Sequence, residues 1–208
     1  MRILAFSDLH DEEAALESLS RMSKSYDFVF ACGDLTQSEW FAESFLSSMP
    51  GAYVIPGNWD SRAAHAVLSK SPGWLHGRRA ELKCGLNAVG FGLSPPTPFG
   101  TYGELSEDDI YSQMAKLPID GNTLLLLHCP PKGHFDQVHL VRRIGSESIL
   151  RIINEKRPLA AFFGHAHEHE GTSELGTTKL VKLPPANSMR AASVTIRDKR
   201  ITTQFIAL

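Results

Sequence analysis

Short apolar runs alternate along the first three quarters of the chain with segments whose apolar residues recur at helical spacing. The short runs predict buried strands, and the spaced segments predict helices. In the second predicted helix, Trp40 and Phe41 are expected to lie in the core. This alternation is typical of the α/β class. The strands are predicted at residues 3–7, 28–32, 53–56, 123–127 and 159–163, and the helices at residues 11–24, 38–48, 61–69, 106–116 and 146–156.

The pattern differs in the middle and at the end of the chain. Residues 79–83 and 87–91 predict a hairpin-like pair of strands, and residues 92–103 form a loop with three prolines and three glycines. A loop of this length often borders an active site or makes a subunit contact, as in a homo-oligomer. With further strands at residues 179–183, 192–197 and 201–207, and no internal repeat, we expect one domain over residues 1–208.

A residue able to bind a metal follows each of the five first-named strands. Because the carboxyl ends of strands in an open α/β sheet meet at a ligand-binding edge, these side chains are expected to converge. His165 and His167 are two residues apart, so both imidazoles can face one cavity. The candidate ligands are Asp8, His10, Asp34, Asn58, His128, His165 and His167.

Composition narrows the class of protein. The 208 residues are 42% hydrophobic, which is enough for a sizeable core, and the net charge is −2 with a pI near 6.5. Without a basic stripe, extended nucleic acid is not an expected partner, and no apolar run reaches the ~20 residues of a membrane helix. Because the first strand follows Met1 so closely, no signal peptide is expected, and the predicted location is the cytoplasm.

The candidate ligands lie in five sequence blocks: Asp8-Leu9-His10, Gly33-Asp34, Gly57-Asn58-Trp59-Asp60, His128 and Gly164-His165-Ala166-His167. These blocks resemble those of the calcineurin-like metallophosphoesterases. Other segments, at residues 128–131, 136–138, 145–146 and 167–171, are similar to a small, largely archaeal branch often called Icc-like phosphohydrolases. The resemblance implies a four-layer α/β fold, in which two mixed β sheets pack face to face and are flanked by helices.

The resemblance also implies a dinuclear metal site. Two divalent cations about 3.5–4 Å apart can share a hydroxide and clamp phosphate oxygens for an in-line displacement. Nitrogen and oxygen ligands without thiolates favour Mn, Fe, Zn, Co or Ni over Mg or Ca, and we expect manganese. The implied ligands are Asp8, His10, Asp34 and His167 for one metal, and Asp34, Asn58, His128 and His165 for the other, with Asp34 bridging.

The third block departs from the family pattern at Trp59. Most members have a histidine there, the proton donor to the leaving group, so that role cannot be transferred. Asp60 is then expected to cap the third helix or to pair with Arg62. His134, in a Gly- and Pro-rich loop, is the predicted replacement acid, with His169 as an alternative, while His65, His76 and His139 are expected at the surface or in the core. The predicted substrate contacts are Asn58, Trp59 and Arg142.

The implied activity is metal-dependent hydrolysis of a small phosphoester, either a phosphodiester or an activated phosphomonoester, with nucleotides among the candidates. The alternative is a catalytically weak protein that uses the same fold as an interaction scaffold. Complete ligand positions favour the enzyme, because a degenerate scaffold usually loses its metal residues.

Overall fold

The computed structural model describes residues 1–138 and 142–208, and describes Arg142 by its backbone alone. The helices are α1 (Glu13–Ser23), α2 (Glu39–Ser48), α3 (Arg62–Leu68), α4 (Glu107–Met114) and α5 (Glu147–Lys156). The strands are β1 (Arg2–Phe6), β2 (Phe28–Cys32), β3 (Tyr53–Ile55), β4 (Arg79–Glu81), β5 (Asn87–Phe91), β6 (Thr123–Leu127), β7 (Gln137–Val138), β8 (Arg142–Arg143), β9 (Ala160–Phe163), β10 (Gly171–Leu175), β11 (Thr178–Lys182), β12 (Arg190–Arg197) and β13 (Arg200–Ala207).

Two mixed β sheets form the centre of the fold. The first has the order β13-β12-β1-β2-β3, with β1, β2 and β3 parallel and β12 antiparallel to both β1 and β13. The second has the order β10-β11-β9-β6-β5-β4, in which the four inner strands are parallel and the edge strands β10 and β4 are antiparallel. The carboxyl ends of β1, β2, β3, β6 and β9 carry the predicted ligands.

Successive side chains of a strand point to opposite faces of its sheet, so each sheet has a hydrophobic core on both of its faces. In β1, Ile3 and Ala5 lie in the core between the sheets, whereas Leu4 and Phe6 pack under α1 and α2. In β6, the even-numbered leucines join the same central core and the odd-numbered ones pack under α4 and α5. The result is the expected four layers, with helices outside both sheets.

The predicted strands are confirmed within one or two residues. Between β12 and β13 the chain turns at Asp198 and Lys199, whose φ angles are 49° and 61°. The prediction that Trp40 lies in the core was wrong: it is 62% exposed, because α2 buries the face of Phe41 and Phe45. Strand β10 was not predicted, since its sequence Gly-Thr-Ser-Glu-Leu alternates only weakly. Within the described residues, no helix is long and apolar enough to cross a membrane.

Candidate metal centre

Six of the seven predicted ligands gather in two groups of three. In each group, one nitrogen or oxygen atom per residue lies within 4.8 Å of the others. The first group is Asp8, His10 and His167, and the second is Asp34, His128 and His165. Asp34 also reaches the first group, because its Oδ2 is 4.0 Å from His10 Nε2 while its Oδ1 is 3.3 Å from His128 Nε2. A carboxylate in this position can serve both groups.

Asn58, the seventh predicted ligand, belongs to the second group. Its Oδ1 lies 3.0 Å from His128 Nε2, and His165 Nδ1 lies 3.1 Å from the same nitrogen. In the first group, His10 Nε2 and His167 Nε2 are 3.4 Å apart. Imidazole nitrogens and side-chain oxygens therefore point at common centres in both groups.

The arrangement fits divalent cations by the chemistry of its donors. Asp8 is fully buried, and its Oδ1 accepts no hydrogen bond of good geometry among the described residues, although His167 Nε2 lies 3.3 Å from it. A buried carboxylate oxygen without a donor is costly, and a bound cation would satisfy it. Mixed histidine and carboxylate donors without a thiolate suit first-row transition metals.

Several ligands have backbone conformations that are rare for residues other than glycine. Asp8, His10, Asp34 and His165 have φ angles of 56°, 48°, 52° and 69°. Such left-handed conformations are unfavourable by about 1–3 kcal/mol in the strained cases and cluster at functional sites. The turns after β1, β2 and β9 therefore direct side chains into the site at a cost in stability.

Two glycines make room for the carboxylates. A Cβ at Gly57 would lie 1.9 Å from Asp34 Oδ1, and a Cβ at Gly164 would lie 2.4 Å from Asp8 Oδ2. Both glycines directly precede a predicted ligand in the chain. The close approach explains why glycine occupies these positions.

The charges of the site oppose the effect of burial on its carboxylates. Burial alone would raise the pKa of Asp8 and of Asp34, but the neighbouring histidines outweigh it and hold both pKa values below their ordinary range. Burial would lower the pKa of His128, yet the charge of Asp34 raises it to about 9. Burial and the charge of His128 lower the pKa of His165 to about 4. The carboxylates are therefore held ionised, as metal ligands must be.

Hydrogen bonds from neighbouring residues orient the side chains of the second group of ligands. His128 Nδ1 lies 3.0 Å from the backbone oxygen of Cys32, which directs Nε2 towards the site. The backbone N–H of Trp59 donates to Asp34 Oδ1 at 2.8 Å. Asn58 Nδ2 donates to the Thr101 hydroxyl at 2.9 Å, which leaves Oδ1 facing His128.

Asp60 has a different role from the two that were predicted. Ser61 caps α3, and among the described residues Asp60 forms no ion pair with Arg62. Instead, the buried carboxylate accepts four backbone N–H bonds of 2.7–3.1 Å, which tie the loop after β2 to the loop after β3. Burial and the charge of Asp34 raise its pKa to about 7, while these donors favour the charged form. The donors are Asp34, Leu35, Thr36 and Gly57.

A cleft of about 1040 Å³ opens beside the ligands. Asn58 and Trp59 line it, and the Trp59 ring packs edge-on against His10 with centroids 4.6 Å apart. His134 lies in a turn bonded to Pro131 and is not among the described residues that line the cleft. The side chain of Arg142 and the whole of His139 fall outside the described residues.

The loop of residues 92–103 borders the cleft, as its length suggested. Residues 97–102 form one wall, and Thr101 connects this wall to Asn58. Sequence reasoning did not identify Thr101, because a single threonine in a loop carries no signal of its own.

Lys182, at the end of β11, was also missed. It is fully buried, and its Nζ donates to the backbone oxygen of Leu183 at 2.7 Å. Burial lowers its pKa to about 8, an effect that the charges of Asp8, Glu168 and Glu170 oppose. Lys182 therefore places a cationic group near the first group of ligands. The apolar pattern of residues 179–183 predicted a strand but did not indicate this position of the lysine.

Comparisons with known proteins identify the family and the fold of the chain. The family model of the calcineurin-like phosphoesterase superfamily domain matches residues 1–183. An uncharacterized protein of Methanocaldococcus jannaschii, MJ1162, is 30% identical over 199 residues, which cover 89% of this chain and 88% of that protein.

Solved structures share the fold at low sequence identity. The structure of TT1561 of Thermus thermophilus superposes with a TM-score of 0.76 at 16% identity and covers 98% of this chain and 97% of that one. A dimetal phosphatase from Danio rerio superposes with a TM-score of 0.69 at 11% identity, covering 100% of this chain and 96% of that one.

Proposed function

Since the chain belongs to the calcineurin-like phosphoesterase superfamily, we propose that it is a metal-dependent phosphohydrolase acting on small phosphodiesters or activated phosphomonoesters, nucleotides among them. The observation that carries this proposal is Asp34, whose two carboxylate oxygens face separate groups of ligands. Bound divalent cations, for which manganese is our first choice, supply positive charge that stabilises phosphate oxygens.

The protein's own residues prepare the site for that role. The Trp59 N–H fixes the orientation of Asp34, and the Cys32 carbonyl fixes the tautomer of His128. Thr101 holds the Asn58 amide so that its oxygen faces the ligands. This order reduces the reorganisation needed when a phosphoester binds.

Proton donation to the leaving group is assigned to His134 as a proposal. Trp59 has no group that can give up a proton, and its ring covers His10. His134 lies in the loop before β7, whose Val138 lines the cleft. The assignment requires this loop to bring the imidazole of His134 to the substrate.

The activity can be tested on protein stripped by chelation and reloaded with manganese. Bis(4-nitrophenyl) phosphate should be hydrolysed, and Asp34→Asn should lower kcat/KM at least about 100-fold, because several kcal/mol of charge stabilisation are lost. Asp108→Asn removes the same charge from the exposed first turn of α4 and should leave the rate unchanged. A wild-type protein with no activity on monoesters, diesters or cyclic nucleotides would contradict the proposal and favour the scaffold alternative.

A further inference from the structure

The cleft beside the ligands has an aromatic wall. Phe99 and Tyr102 are 84% and 55% exposed, and they line the cleft together with Trp59. Within residues 1–138 and 142–208, only Trp40 is another large hydrophobic side chain with such exposure. Exposed aromatic surface concentrated at one cleft marks a place where a ligand packs.

Arg62 supplies a positive charge to the same cleft. Of the lysines and arginines whose side chains are described, it alone lines the cleft, and it forms no ion pair with a described residue. Nearby cations differ in this respect, since Lys132 pairs with Glu147 and Arg143 with Asp136. An unpaired guanidinium at a cleft is well suited to a phosphate, which it can bind through two parallel hydrogen bonds.

The fold places Arg62 beside the aromatic wall. Arg62 and His65 are three residues apart on α3 and so share a face of that helix. The Tyr102 ring packs edge-on against His65, with centroids 6.1 Å apart at 90°. Trp59, three residues before Arg62, packs on the ligand His10. The cleft therefore has Trp59 packed against the ligand His10, with Arg62 and Tyr102 among its other lining residues.

We propose that Arg62, Phe99 and Tyr102 form a second anion subsite, which binds a phosphate on the portion of the substrate that carries an aromatic ring. This inference rests on the proposed function and specifies its substrate class as phosphodiesters of a nucleotide that bears a further phosphate. The base stacks on the exposed rings, which accept any base because every base has a π face. The additional phosphate binds the guanidinium.

Because Arg62 is the one arginine among the described residues that line the cleft, it also limits the length of the substrate. Proteins that follow a nucleic-acid backbone use a groove or stripe of several cations, and no such stripe accompanies Arg62 among the described cleft residues. The subsite therefore selects short compounds with one additional phosphate.

The test uses a matched pair of substrates, the dinucleotide adenylyl-adenosine with and without a 5′ phosphate, on manganese-loaded full-length protein. The wild type should cleave the phosphorylated compound with a kcat/KM about tenfold higher, mainly through KM, the size expected for one charged hydrogen-bonded contact. Arg62→Gln should remove this preference. Arg78→Gln, which removes an exposed arginine that does not line the cleft, should retain it.

Binding provides a second readout that does not depend on turnover. A methylphosphonate-linked dinucleotide cannot be cleaved in the same way, and calorimetry should give about tenfold tighter binding when it carries the 5′ phosphate. Arg62→Gln should abolish that difference, and Phe99→Ala with Tyr102→Ala should weaken binding of both compounds.

The inference can fail in two distinguishable ways. If the wild type hydrolyses bis(4-nitrophenyl) phosphate but treats both dinucleotides alike, or if Arg62→Gln keeps the preference, the subsite is wrong and the proposed function stands. If the loaded wild type hydrolyses none of these compounds, the proposed function fails and the subsite fails with it.

Discussion

In the proposed function, Trp59 determines which leaving groups the site can expel. Its ring packs on His10 and its backbone N–H holds Asp34, so the residue supports the ligands without offering a proton. General acid catalysis typically contributes about 10²–10⁴-fold, and the contribution is largest for strongly basic leaving groups. The site is therefore suited to esters whose leaving group departs readily without protonation.

A series of aryl and alkyl esters should show this dependence. We expect the rate to fall steeply as the leaving group becomes more basic, His134→Ala to steepen the slope, and Trp59→His to make it shallower if the new imidazole reaches Asp60. The measurement is a plot of log kcat/KM against leaving-group pKa for the three proteins. A flat wild-type plot that stays flat in His134→Ala would show that another acid operates.

At the scale of elements, the sequence predicted strand ends better than the connections between them. Buried strands such as β2 and β6 consist of consecutive apolar residues, so their ends and the ligands after them could be located. Contacts such as that between Thr101 and Asn58 join residues 43 positions apart and depend on the packing of two loops. No local sequence pattern predicts such a contact. For the same reason, the sequence did not predict that Arg62 lines the cleft.

Asp60 illustrates the limit most clearly. The loss of a histidine partner suggested that its carboxylate was free to cap α3, but in the structure each of its oxygens accepts two backbone N–H bonds. The sequence could not reveal these donors, because they belong to the loops after β2 and β3. The residue connects the two loops that carry Asp34 and Asn58.

Asp60→Asn should therefore destabilise the protein. The amide keeps one acceptor oxygen and turns an NH2 group towards two buried donors, so the free energy of unfolding should fall by about 2–4 kcal/mol. Urea denaturation of the metal-free protein measures this change. Asp198→Asn, in the exposed turn between β12 and β13, is the control and should stay within about 0.5 kcal/mol of the wild type. An equally small effect of Asp60→Asn would mean that its four bonds do not support the loops.

At the scale of the whole molecule, we expect the stability of the fold to depend on pH through histidines whose pKa is lowered by burial. His76 accepts a hydrogen bond from the Gly92 N–H at 2.9 Å. Burial, helped by the charge of His65, lowers its pKa to about 4 from an ordinary value of 6.5. Between these values the unfolded chain takes up a proton that the folded protein excludes. The contribution of His76 to stability is thus complete above pH 6.5 and is lost as the pH falls towards 4.

This dependence can be isolated by comparing the wild type with His76→Gln, which does not titrate and keeps an acceptor for Gly92. The wild type should lose up to about 3 kcal/mol more than the variant between pH 7 and pH 4. Denaturant unfolding at several pH values gives both curves. Parallel curves would show that His76 is protonated in the folded state as easily as in the unfolded state.

We propose that Asp34 serves two divalent cations in one site, and counting bound metal tests this proposal most directly. Chelator-stripped protein, saturated with manganese and freed of excess ion, should contain up to two ions per chain by elemental analysis. Asp34→Ala should lose both together, whereas Asp8→Ala should retain part of the second, because Asp8 belongs to the first group only. Wild-type protein with no bound metal after saturation with manganese or zinc would contradict the account.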